Sequence, residues 1–355
     1  MAVLTEEQTI LRDMAREWAD NESPVTAFRA VRDGAPAAFY DTAAWRAQAE
    51  MGWAGILVPE AHGGVGMGYL SLGLVLEQLG RTLAATPLAA TAAATSAIVL
   101  GGSEAQKAEW LPRIAAGEIV AALAVDEGPR FAPDRIATTV TGARLSGTKE
   151  FVAEGDSAHL FVVAARDGLY LVSGDAGVTR SPRHLTDARS HAQLRFEDAP
   201  ASKLEGDDDL LTQVTDRAAA AICAEMLGMA EAAFAQTNDY LKTRVQFGQV
   251  LASFQALQHR MAKMFTELEL MRSAVEGALE AADSRASIGQ EVSLAKALAN
   301  ETLHLVSREM IQLHGGIGMT DEHDAGFYLK RARVLEQMWG NAAWHRDRFA
   351  RLGGY

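Results

Sequence analysis

His159-Leu160-Phe161-Val162-Val163 and Leu169-Tyr170-Leu171-Val172 are two short apolar runs in the middle of the chain. They are too short for core helices, rich in β-branched and aromatic residues and bounded by Asp and Gly, so they read as strands. Ile136-Ala137-Thr138-Thr139-Val140-Thr141, Leu145-Ser146-Gly147 and Gln193-Leu194-Arg195-Phe196 show the same near-two period between Gly, Asp and Pro turns. This island decides the fold, because the sequence on both sides is helical. Toward the N-terminus, Thr5 with Glu6 and Glu7 forms a cap and acidic first turn, and Ile10, Met14 and Trp18 recur at four-residue steps. Val58-Pro59-Glu60-Ala61-His62-Gly63-Gly64 breaks that region before Leu72–Leu79 resumes it. Toward the C-terminus, Ile222, Met226, Ala230 and Phe234 step by four, and Leu257, Met261, Met264, Leu268 and Met271 step by three or four. Leu298, Thr302, Leu305 and Met310 continue the habit, and the methionines read as core filling. The expected fold is α+β, mainly α: an N-terminal helical domain (1–118), a small antiparallel β-domain (119–206) and a C-terminal four-helix bundle (207–355).

The chain has 355 residues, 48% hydrophobic and 22% charged, enough for a large core without metal or disulfide. Its net charge of −13 argues against a nucleic-acid binder, which needs clustered Lys and Arg to neutralise phosphates. The start lacks the basic and apolar regions of a signal peptide, and no window reads as a spanning helix, so no membrane partner and a cytoplasmic location are expected. Cys223 is the only cysteine and lies in an Ala-rich helical run, where a buried, inert thiol is expected rather than a nucleophile. No metal site is expected, and Gly64-Val65-Gly66-Met67-Gly68 lacks the context of a dinucleotide fingerprint and reads as a loop.

Three motifs remain. They are Arg244-Val245-Gln246-Phe247-Gly248, then Phe254-Gln255 with Gln258-His259, then Gln312-Leu313-His314-Gly315-Gly316-Ile317-Gly318. A guanidinium pairs with pyrophosphate through its planar fork, an aromatic ring packs on another ring, and glycines let backbone approach a dinucleotide closely. Read singly, Arg244 is equally a solvated helix-end charge, and Gly315-Gly316 a plain helix C-terminus. Together, in this order and spacing, the motifs resemble those of the acyl-CoA dehydrogenase family. Trp53-Ala54-Gly55-Ile56-Leu57-Val58-Pro59-Glu60, Glu77-Gln78-Leu79-Gly80-Arg81 and Gly147-Thr148-Lys149-Glu150-Phe151-Val152 are similar as well, so the resemblance covers nearly the whole chain. It implies that Arg244, Phe247, Phe254, Gln255, Gln312, Gly315 and Gly316 bind the ADP half of FAD belonging to a neighbouring subunit, which makes the protein an oligomer.

The resemblance also implies a reaction, α,β-desaturation of an acyl-CoA thioester, with a glutamate taking the α-proton and flavin taking the β-hydrogen as hydride. The usual base is the Glu of a C-terminal Tyr-Glu-Gly-Thr. Here that stretch is Gln337-Met338-Trp339-Gly340-Asn341, and the indole of Trp339 donates a hydrogen bond but accepts no proton. The alternative base position, on the first helix of the C-terminal domain, falls at or beside Ala218. Asp216 and Glu225 are the nearby carboxylates, expected as a helix-start charge and a solvated face, and Glu336 is expected to be structural or exposed. The flavin-lining loop is reduced to Val125-Asp126-Glu127-Gly128-Pro129-Arg130, and the later Trp-Ile-Thr-Asn-Gly segment reads Phe151-Val152-Ala153-Glu154-Gly155.

The groups offered to a neighbour survive while those of the chain's own site are lost. The chain therefore resembles the degenerate, non-catalytic subunit of heteromeric α2β2 acyl-CoA dehydrogenases such as those of steroid side-chain degradation. The expected activity is that of a subunit inactive alone, which shares FAD with a catalytic partner acting on an acyl-CoA. The alternatives are a homomeric flavoenzyme using Asp216 or Glu225 as a displaced base, and a flavin-free paralogue that binds a CoA ester.

Overall fold

In a computed structural model the described residues are 3–34 and 39–355. Helices α1 (Glu6–Glu22), α2 (Val25–Gly34), α3 (Thr42–Glu50), α4 (Gly68–Arg81), α5 (Leu88–Gly101) and α6 (Glu104–Ala115) come first. Strands β1 (Ala121–Ala124), β2 (Thr139–Thr141), β3 (Arg144–Ala153), β4 (Leu160–Ala165), β5 (Gly168–Ser173), β6 (Val178–Pro182), β7 (His191–Pro200) and β8 (Ser202–Lys203) follow. The chain ends with α7 (Leu210–Thr243), a hairpin of β9 (Val245–Gln246) and β10 (Gln249–Val250), α8 (Gln255–Ser284), α9 (Gly289–His314), α10 (Ala325–Leu335) and α11 (Ala342–Leu352). The helix, strand, helix order of the sequence reading is thus the observed one.

Contacts divide the chain into two compact units. One comprises residues 29–72 and 85–218; the other comprises 1–28, 73–84 and 219–355. The first holds two four-stranded sheets, ordered β1-β4-β5-β8 and β2-β3-β7-β6. Every pair is antiparallel except β1 with β4. Fully apolar β4 pairs with β5 from Leu160↔Ser173 to Ala165↔Gly168, and Phe161 meets Phe196 of β7 edge-to-face at 6.3 Å between the sheets. A register shift between Lys149 and Val152 bulges β3 and puts Phe151 at φ 51°, partly exposed.

In the other unit, α4 and α7 cross with backbones in contact. A Cβ on Gly228 would lie 1.8 Å from the Glu77 carbonyl, and one on Gly80 2.3 Å from that of Glu225, so only glycine fits either place. The core beside this crossing includes Met226, Met264, Met271 and Met310, all fully buried as their helical spacing predicts, together with Met229, while Met261 of the same stripe is half-buried. Cys223 is buried too, and burial pushes its thiol up to about 12. One expectation needs correction: α7 is long and apolar enough to cross a membrane, but 78% of its most apolar window is buried inside the chain, so it is a core helix.

Candidate functional site: a dinucleotide clamp and a tryptophan turn

The seven predicted clamp residues lie on two neighbouring segments. The last turn of α7 ends where the Arg244 N–H donates to the Tyr240 carbonyl at 2.8 Å. The chain then reverses through β9 and β10 and returns, the Leu251 N–H donating to the Arg244 carbonyl at 2.8 Å. Phe247 (φ 54°) and Gly248 (φ 80°) form the two-residue turn, with the paired positive φ values of a type I′ hairpin. A phenylalanine there is strained by roughly 1 kcal/mol or more, yet its ring stands 88% exposed. Phe254, which precedes α8, meets it edge-to-face at 6.2 Å, and Gln255 opens the helix on the surface. Arg244 is exposed and has no carboxylate partner among the described residues.

The second segment is the end of α9. Gly315 adopts φ 65° and ψ −138°, a region open only to glycine, and the next residues wind into a short 3-10 turn. A Cβ built on Gly315 or Gly316 meets nothing within 4 Å, so the backbone faces open space, and Gln312 is exposed beside it. Tyr240 joins the segments, its hydroxyl donating to the His314 carbonyl at 3.3 Å and its ring stacking on His314 at 4.4 Å. These residues fit the ADP half of FAD: an exposed guanidinium, an exposed aromatic ring, amide side chains and glycine backbone with open space beside it.

Trp339 is the opposite case. Its side chain is only 9% exposed, and its backbone is left-handed at φ 55°. His345 Nε2 donates to its carbonyl at 2.8 Å. Burial, reinforced by Lys296, pushes the His345 ring down to about 3, so the ring is neutral with its proton on Nε2. The next carbonyl, of Gly340, accepts from Lys296 Nζ at 3.2 Å, which also donates to the Leu335 carbonyl at 3.0 Å and to Asn300 Oδ1 at 2.6 Å. Lys296 is fully buried, and burial pulls its ammonium down to about 8. The Trp339 indole itself offers no basic atom to a substrate proton.

The other carboxylates are also spoken for. Glu225 is bound by Arg331 through two contacts, 2.8 and 3.1 Å, and Glu336 is held by Arg333 at 2.8 Å. Glu225 is therefore a paired structural carboxylate, not the solvated face expected. Asp216 and Arg217 are 5% and 4% exposed, and Ala218 is buried beside them. The expectation of an exposed helix-start charge at Asp216 fails because α7 already begins at Leu210, which places position 216 in the helix interior. The Arg217 guanidinium lies 5.6 Å over the Tyr69 ring, whose hydroxyl donates to Ser96 at 2.7 Å.

The reduced flavin loop is tied inward. The Glu127 carboxylate accepts from the Ala137 N–H (2.6 Å), the Thr138 N–H (2.9 Å) and hydroxyl (2.6 Å), and Lys149 Nζ (2.8 Å). Burial alone would raise its pKa, but these donors, led by Lys149, hold it down to about 2. Lys149 is fully buried, and burial lowers its own pKa against the attraction of Glu127. Its neighbour Asp126 is pushed up to about 6 by burial.

Comparison with known proteins now becomes informative. The acyl-CoA dehydrogenase N-terminal domain profile matches residues 5–118, and the C-terminal domain profile matches 209–353. The chain belongs to the acyl-CoA dehydrogenase family. Members are FAD-dependent oxidoreductases acting on CH–CH groups, which is the family this chain resembled at the level of its motifs. It is 32% identical over 338 residues to the acyl-CoA dehydrogenase IpdE2 of Mycolicibacterium smegmatis, covering 95% of this chain and 96% of that protein. A solved Tcur3481–Tcur3483 steroid acyl-CoA dehydrogenase superposes with a TM-score of 0.93 at 32% identity, covering 98% of each chain. The ChsE4–ChsE5 complex from Mycobacterium tuberculosis gives 0.91 at 26%, covering 100% of this chain and 99% of that one.

Tyr240, Lys296, His345 and Arg217 were not singled out in the sequence. The only local signal among them is Lys296, a lone cation in the apolar run Ser293-Leu294-Ala295-Lys296-Ala297-Leu298.

Proposed function

We propose that the chain is the non-catalytic subunit of a heteromeric acyl-CoA dehydrogenase, completing the FAD site of a catalytic partner while performing no proton abstraction itself. FAD, when bound, accepts the β-hydrogen of the acyl chain as hydride. This chain's part is to bind and orient it. Arg244 pairs with pyrophosphate, Phe247 and Phe254 offer ring faces, Gln255 and Gln312 donate hydrogen bonds, and Gly315 and Gly316 admit the ligand to the backbone. The observation that carries the reading is the buried Trp339, pinned through its carbonyl by His345, where the family places its base. The partner supplies the base, and the substrate is an acyl-CoA thioester. The steroid relative and the two-component complexes support a bulky ring-bearing acyl group and a heterotetramer.

The test is expression of the chain alone and with a catalytic acyl-CoA dehydrogenase partner. Alone it is colourless and inactive; together the two form a yellow complex that desaturates an acyl-CoA. A colourless, inactive complex with its partners contradicts the proposal. The burial of Asp216 beside Ala218 supports one competing reading, a homomeric enzyme with a displaced base. Activity of the lone chain that disappears in Asp216→Asn would establish that alternative.

A further inference from the structure

The two halves of the clamp are remote in sequence, one built on a two-residue hairpin turn and the other on a glycine pair. One residue touches both, by its backbone on one side and its side chain on the other. Tyr240 lies one helical turn before Arg244, and its carbonyl receives the Arg244 N–H at 2.8 Å, which fixes where the hairpin leaves α7. Its hydroxyl reaches across 74 residues of sequence to the His314 carbonyl at 3.3 Å, directly before Gly315. Its ring lies on the His314 imidazole at 4.4 Å and an interplanar angle of 29°. His314 is held in turn by donating Nδ1–H to the Met310 carbonyl at 2.7 Å, and His323 packs behind it at 4.3 Å. Three rings thus meet at His314, the residue before Gly315, and one of them belongs to the helix that carries the arginine hairpin.

We propose that Tyr240 is a positioning residue for FAD: it sets the spacing between Arg244 and Gly315-Gly316 so that both reach one ADP moiety together. This rests on the trans-clamp reading above. The physical need is that two contact groups gain from each other only if their separation matches the ligand before it arrives, and a displacement of about 1 Å loses much of that gain. Gly315 has no side chain with which to hold itself; its N–H donates to the Gln312 carbonyl, and the Tyr240 hydroxyl adds a side-chain contact at the carbonyl just before it.

The experiment uses the co-expressed complex with its catalytic partner, stripped of flavin and titrated with FAD by flavin fluorescence, with subunit composition followed by native mass. Tyr240→Leu removes both stack and hydroxyl, and is expected to weaken FAD binding ~10-fold or more without changing subunit composition. Tyr240→Phe keeps the stack and is expected to lose only ~2- to 10-fold. Wild-type FAD affinity in an intact Leu complex overturns the inference. Should the Leu variant fail to assemble, the Phe variant decides: weaker FAD with an unchanged melting temperature supports the role, and unchanged affinity refutes it. Arg244→Ala separates the two levels. If it weakens FAD while the Tyr240 variants do not, only the positioning role fails; if it leaves FAD affinity intact, the trans-clamp reading fails with it.

Discussion

At the residue scale the account rests on position 339. An indole cannot take a proton, and the turn is held through backbone carbonyls, that of Trp339 by His345 and that of Gly340 by Lys296, contacts that do not depend on the indole. Trp339→Glu is therefore expected to create no desaturase activity in the lone chain, because the flavin-lining loop is reduced as well; measurable enone formation from an acyl-CoA would refute the half-site reading. Trp339→Ala leaves a cavity and is expected to lower stability by ~3–5 kcal/mol in chemical denaturation. Lys296→Met strands the Leu335 and Gly340 carbonyls and Asn300 Oδ1, with an expected loss of ~2–4 kcal/mol by the same measurement.

At the element scale the hairpin and the tied loop make separate predictions. Phe247→Gly relieves the positive φ while removing an 88% exposed ring, so the chain's stability should change by less than ~1 kcal/mol whereas FAD retention in the complex falls. Equal losses of stability and flavin would mean the ring is structural. Glu127 has a folded-state pKa of about 2, below its unfolded value of 4.5, so its contribution is present above pH ~4.5 and is lost as pH falls toward 2. Acid unfolding of the wild type should therefore be steeper across that window than that of Glu127→Gln. Legibility also differed by element. The strands were readable because β4 and β5 carry continuous apolar runs closed by a tight turn; the proposed clamp could be singled out because its residues sit in compact local motifs. Asp216 was misread because the Ala-rich run after it gives no sign of where α7 begins, and a helix start was assumed too late. Tyr240 and Lys296 act through contacts to carbonyls distant in sequence, and His345 through one carbonyl across the Trp339 turn, none of which leaves a periodic trace.

At the scale of the whole molecule, the surviving and the missing residues divide by the direction in which they face. Arg244, Phe247, Gln255, Gln312, Gly315 and Gly316 are exposed, whereas Trp339 is buried and Glu225 and Glu127 are half-buried and paired with the chain's own cations. On the proposed reading such a chain gains its function through a partner that docks against it, and the FAD chemistry belongs to the assembly. The flavin-to-protein ratio of the purified heteromeric complex tests this most directly. The account predicts one FAD for each pair of one catalytic and one present chain, and none in the present chain purified alone. Two FAD per pair, or FAD bound by the lone chain, would contradict it.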